Sequence, residues 1–151
     1  MAVRRARARG AGGAGVRGVS ADRPITNDVR LYRRITEHHL KAAPDVPGGQ
    51  RITSAAFISS SDGSGVSVNL ADTMNDHHIA PEEILRLPPP GLGLAYVTAH
   101  QVRTEDLRPQ REPLENDPSH GSIMGDLSSS GRRKRLARLA QQQWTIPLDA
   151  A

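Results

Sequence analysis

The stretch from Arg51 to Asp72, RITSAAFISSSDGSGVSVNLAD, constrains the fold most, because it sets a Gly-rich turn between two segments that read as extended. Asp62-Gly63-Ser64-Gly65 carries the turn chemistry, and Val66 and Val68 alternate with Ser67 and Asn69 as in a half-buried strand. Ile52 and Phe57, the chain's one Phe, give the first segment its apolar weight. The whole stretch predicts a hairpin at the centre of a small sheet.

The flanking sequence supplies further elements. VRLYRRI at 29–35 alternates apolar and basic residues as a first strand, although Arg33 interrupts its apolar face. Pro44, Pro47, Gly48 and Gly49 make 36–50 a loop. After a short helical turn at 70–76, Pro81, Glu82 and Glu83 open a helix that Pro88-Pro89-Pro90 closes. GLGLAYVTAHQV at 91–102 reads as a buried strand, 103–119 as a polar surface loop with three prolines, and Ser122-Ile123-Met124 as a short edge strand. Ser128-Ser129-Ser130-Gly131 then caps a helix over about 132–143, with Leu136, Leu139, Ala140 and Gln143 or Trp144 on one face and basic residues on the other. The sum is an α+β fold: a small mixed or antiparallel sheet around the central hairpin, with a C-terminal amphipathic basic helix.

A chain of 151 residues accommodates one domain. Residues 1–27 contain six arginines against Asp22 alone, set among Ala, Gly and Val without periodicity, and read as a disordered arm. Residues 28–147 form the domain, with Tyr32, Phe57, Tyr96 and Trp144 marking its core, and 148–151 are a tail. Without cysteine there are no disulfides or thiolate metal sites, and a reducing compartment is allowed. No apolar run approaches the roughly 18 residues of a membrane span, and no apolar segment follows the first arginines as in a secretory signal. A soluble cytoplasmic protein is expected.

The landmarks LYRRI at 31–35, ITSAAF at 52–57, SVNLAD at 67–72, GLGLAYVTA at 91–99, NDPSH at 116–120 and the closing basic helix to Trp144 resemble a group of short bacterial proteins of unknown function. The resemblance covers roughly 29–147 and leaves the arm outside. It implies a free-standing bacterial domain and transfers no catalytic residue.

The chemical candidates are sparse. Adjacent histidines at 38 and 39, and at 77 and 78, point apart on a helix or strand, so no metal site is expected, although His100 and His120 would meet near Asp117 in a favourable fold. Ser54, Ser59, Ser60 and Ser61 supply hydroxyls, His100 and His120 bases, and Asp62 or Asp117 an orienting carboxylate, but no nucleophile elbow frames them. Serines beside a Gly turn are usually turn formers. An alternative is similar to ADP-ribosyltransferases, which use a nicotinamide dinucleotide: Arg33 would grip pyrophosphate, Ile52 to Ser61 would support it, and Glu105 would polarise ribose. Arg103 stands where that pattern has Gln or Glu two positions earlier.

The favoured expectation is a binding or interaction domain without a cofactor, whose acidic middle and basic ends suit an acidic partner, a nucleic acid or a second copy of the chain. A second alternative is non-specific nucleic-acid binding, in which Arg132, Arg133, Lys134 and Arg135, together with 1–27 and Arg138, offer weak, sequence-independent contact with phosphates. No aromatic residue is interleaved with them to stack bases.

Overall fold

A computed structural model describes residues 23–60 and 63–148. The described strands are β1 Arg30–Ile35, β2 Leu40–Ala42, β3 Gln50–Ile52, β4 Val66–Leu70, β5 Gly93–Thr98, β6 Arg108–Arg111, β7 His120–Met124 and β8 Trp144–Ile146. The described α-helices are α1 Ala71–Asp76, α2 Pro81–Leu85, α3 Ala99–Thr104 and α4 Ser130–Gln141. Six strands form one antiparallel sheet in the order β6-β7-β4-β1-β5-β8, and β2 and β3 form a separate antiparallel ribbon. The class is α+β.

Strand alternation gives the sheet two covered faces. On one, Leu31, Ile35, Val68, Leu70, Ala95 and Val97 meet Phe57 and the buried face of α4, Leu136, Ala137 and Ala140. On the other, Tyr32 and Leu94 pack with Met74 of α1 and Ile84 of α2. Tyr32 and Tyr96 stack edge to face at 6.1 Å on this second side.

The central hairpin is the main correction. The segments 51–58 and 66–70 do not pair with each other: β4 pairs with β1 and β7, and Ile52 pairs with Leu40 in the ribbon. Thr53 accepts the amide of Ala55 and caps a 3-10 turn, Ser54–Phe57, which drops Phe57 into the core instead of extending a strand. Gly63 and Gly65 do adopt positive φ, as turn chemistry requires, but their turn leads into β4 from this irregular segment. Asp62 and Ser61 lie outside the described residues. The hairpin sits one stretch earlier, where Ala43 bonds Gly49 across a turn with Gly48 and Gly49 at φ 85 and 75.

Other boundaries move for local reasons. The strand expected through residue 102 ends at Thr98, whose side chain accepts the Gln101 amide while Gln101 bonds back to Thr98 N, a reciprocal cap that starts α3. The expected loop 103–119 contains β6, where Pro109 is tolerated on an outer strand. That strand covers β7, which is therefore interior. Trp144 belongs to the outer strand β8, because α4 ends at Gln141.

Residues 23–27, expected within the arm, are bonded to the domain. Arg111 donates to the carbonyls of Arg23 and Pro24, and Arg103 to the Ile25 carbonyl and Asn27 Oδ1. The rest of the arm expected at 1–27, residues 1–22, lies outside the described residues.

Candidate functional site

The β2–β3 ribbon stands over α4, anchored by the Ile52 amide donating to Gln141 Oε1 at 2.8 Å. Buried Ile52 and Ala137 line the cleft between them, with Thr53 and Ser54 at one side. Its volume is about 370 Å³, within the range of ligand sites. The remaining lining is cationic: Lys41 and Arg51 from the ribbon, Lys134 and Arg138 from the helix.

Each pair is a like-charge pair. Lys41 and Arg51 are direct cross-strand partners, and Lys134 and Arg138 are separated by one helical turn. Both arrangements oppose folding by a few tenths of a kcal/mol. All four side chains are exposed, no carboxylate lines the cleft, and none of the four has an ion-pair partner among the described residues. Four cationic side chains thus line one cleft with no carboxylate among its described lining residues.

The rest of the basic block is committed elsewhere. Arg132 donates to the Asp126 carbonyl and pairs with Asp106, Arg133 donates to the Leu127 carbonyl, and Arg135 makes a forked contact with Glu105, Nε lying 2.9 Å from each oxygen. Of the four binding candidates only Lys134 lines the cleft. The helical period explains this: 132 and 135 turn toward α3 and its C-terminal carboxylates, while 134 and 138 turn toward the ribbon.

The catalytic candidates do not come together. Arg33 lies on the apolar face of β1, and its Nε and Nη1 donate to the carbonyls of Ala56 and Ser67 at 2.8 and 3.2 Å. β1 and β4 pair only through Leu31 and Tyr32, and the Arg33 guanidinium bridges the fork where they separate. Burial, then the Arg34 charge, push it down to about 10. Ser54 lines the basic cleft. His100 is exposed on α3, and Glu105, at the end of that helix, is held by Arg135. The Asp117 carboxylate accepts from Asn69 and Ser119, and its contact with His120 is through the main chain, the His120 amide donating to the Asp117 carbonyl.

His120 does meet a hydroxyl: its Nδ1 lies 2.9 Å from the Glu112 carbonyl, which fixes Nδ1 as the donor, and Nε2 lies 3.4 Å from Ser67 Oγ. The long second contact joins neighbouring strands across one sheet face. Among the described residues no group of three or more His, Asp or Glu side chains is placed to hold a metal ion. No described helix is long and apolar enough to cross a membrane.

No protein-family model, no curated protein and no solved structure matches this chain.

Sequence reasoning missed Lys41 and Arg51. The available signal was the short repeat of apolar and basic residues on both sides of Pro44 to Gly49, LKA and QRI, which places one cation at the middle of each strand.

Proposed function

We infer that this protein is a binding domain for phosphate-bearing polyanions, nucleic acid foremost, and that the β2–β3/α4 cleft is its site. The observation that carries this reading is the two like-charge couples that line the cleft from the ribbon and from the helix, with no ion-pair partner among the described residues. Each couple opposes folding, so bound phosphate relieves a repulsion that the free protein sustains. The hydroxyls of Thr53 and Ser54 add neutral hydrogen-bond groups of the kind that orient a phosphate. The same reading fits a small bacterial protein working in the cytoplasm, where nucleic acid is the abundant polyanion.

A dinucleotide-using enzyme is less well supported, because two Arg33 donors are engaged by main-chain carbonyls and Glu105 is engaged by Arg135. Fluorescence anisotropy of a labelled oligonucleotide with the full chain tests the binding reading. Binding at low salt that falls roughly tenfold or more in the Lys134→Gln/Arg138→Gln variant is the expected result. Equal affinity in that variant would move the site away from the cleft.

A further inference from the structure

We propose that the strand bound in this cleft is single-stranded, with Trp144 stacking an unpaired base beside the phosphate-binding cations. This rests on the polyanion reading above and specifies its ligand. Trp144, on β8, is the partner of Ala95 beside an irregularity in the pairing, and it packs against the core cluster that includes Leu136, Ala137 and Ala140, so it lies on the same sheet face as α4. Gly93 makes room for it: a Cβ there would stand 2.8 Å from ring atom Cζ3. The rest of the half-buried ring lines a hollow of about 330 Å³, together with Pro47, Gln50, Gln141 and Leu148.

The hollow adjoins the basic cleft on both sides. Gln50 precedes Arg51 on β3, and Gln141 lies one turn beyond Arg138 on α4, about 4.5 Å further along the axis. One hydrogen bond, Ile52 N to Gln141 Oε1, divides the two spaces. A strand whose phosphates engage Lys134 and Arg138 therefore passes directly by an aromatic ring that takes any base by its face. The Gln50 and Gln141 amides offer hydrogen bonds to a base edge. A duplex presents its phosphates to the same cations but keeps its bases paired, so only a single strand fills both spaces.

Trp144 is the sole tryptophan, so its fluorescence reports on the hollow alone. The full chain is titrated with a single-stranded oligonucleotide of about eight nucleotides, within the usual site size, with a duplex of the same length, and with inorganic polyphosphate. Competition against a labelled oligonucleotide gives each affinity. The expected result is strong quenching by the single strand, little by the duplex or polyphosphate, and about tenfold weaker single-strand binding in Trp144→Leu with polyphosphate binding unchanged. Trp144→Phe, which keeps a ring against Gly93, should retain most of the affinity and guards against loss through misfolding. Equal affinity for single strand and duplex with unquenched Trp144 would overturn the inference and leave polyanion binding standing. Equal quenching by an acidic peptide would reassign the hollow to a protein partner. No binding of any polyanion at low salt would end both readings.

Discussion

Lys41 stands directly opposite Arg51 across the two-stranded ribbon, and among the described residues no acidic group lines the cleft that they share. Replacing Lys41 by Glu converts repulsion to attraction. The Lys41→Glu variant should raise stability by about 0.2–1 kcal/mol at low salt and weaken polyanion binding in the same sample. Urea midpoints and anisotropy titrations measure the two effects. A variant that loses both stability and binding would mean that the pair is structural.

The salt dependence of binding should resolve the basic block residue by residue. Lys134→Gln and Arg138→Gln should each lower the slope of log affinity against log salt by about one. Arg132→Gln should leave the slope nearly unchanged, because its guanidinium is engaged by Asp106 and the Asp126 carbonyl. The arginines of residues 1–22 are common to all three variants and cancel in the comparison.

Arg111 ties the N-terminal segment to the sheet. Its buried guanidinium serves both oxygens of Asp72, Thr73 Oγ1 and the carbonyls of Arg23 and Pro24. Burial pushes the Asp72 carboxyl up, but the Arg111 hydrogen bond and charge, the Thr73 amide and Arg23 outweigh it and hold the group below the ordinary carboxylate range. Stability from this pair is present above the unfolded carboxylate pKa and is lost as pH falls through the folded value. Arg111→Ala should cost about 3–5 kcal/mol by chemical denaturation at neutral pH, since it removes the forked partner of a partly buried carboxylate and leaves it only the Thr73 amide and the more distant Arg23.

His39 gives a second pH dependence. Its Nδ1 accepts the Thr36 amide at 3.1 Å, a bond that exists only while that nitrogen is unprotonated. Burial, then the charges of Arg33 and His38, push the ring down to about 4 from the ordinary 6.5. The unfolded chain takes up this proton near pH 6.5 and the folded chain only near 4, so stability falls as pH drops across that window. After discounting for the ring's partial exposure, the loss should be about 1 kcal/mol. His39→Gln, which keeps an acceptor for Thr36, should flatten stability between those pH values, and an NMR titration of the imidazole checks the pKa directly.

The elements legible in the sequence are those whose signal is local. Alternation in 30–35 and 66–70, Pro81 with its two glutamates, and the Ser129 cap with Leu136 and Ala140 one turn apart each specify an element without outside help. The 51–58 segment failed because its apolar weight is used by Phe57 in a capped 3-10 turn, an outcome set by packing under α4 rather than by strand propensity. β6 was hidden by Pro109, which only an outer strand accommodates. The cleft was half legible: Lys134 and Arg138 were visible as a basic block, but Lys41 and Arg51 lie far away in the chain and reach it only through the ribbon. Trp144 was assigned to the helix face, and its position beside the cations follows from α4 ending at Gln141.

The location of binding is tested most directly by NMR of the isotope-labelled full chain titrated with a short oligonucleotide at low salt. Chemical-shift changes concentrated at Lys41, Arg51 to Ser54 and Lys134 to Arg138, weakening together as salt rises, are the result that cleft binding requires. Changes confined to residues 1–22, or none in the cleft at saturation, would contradict it.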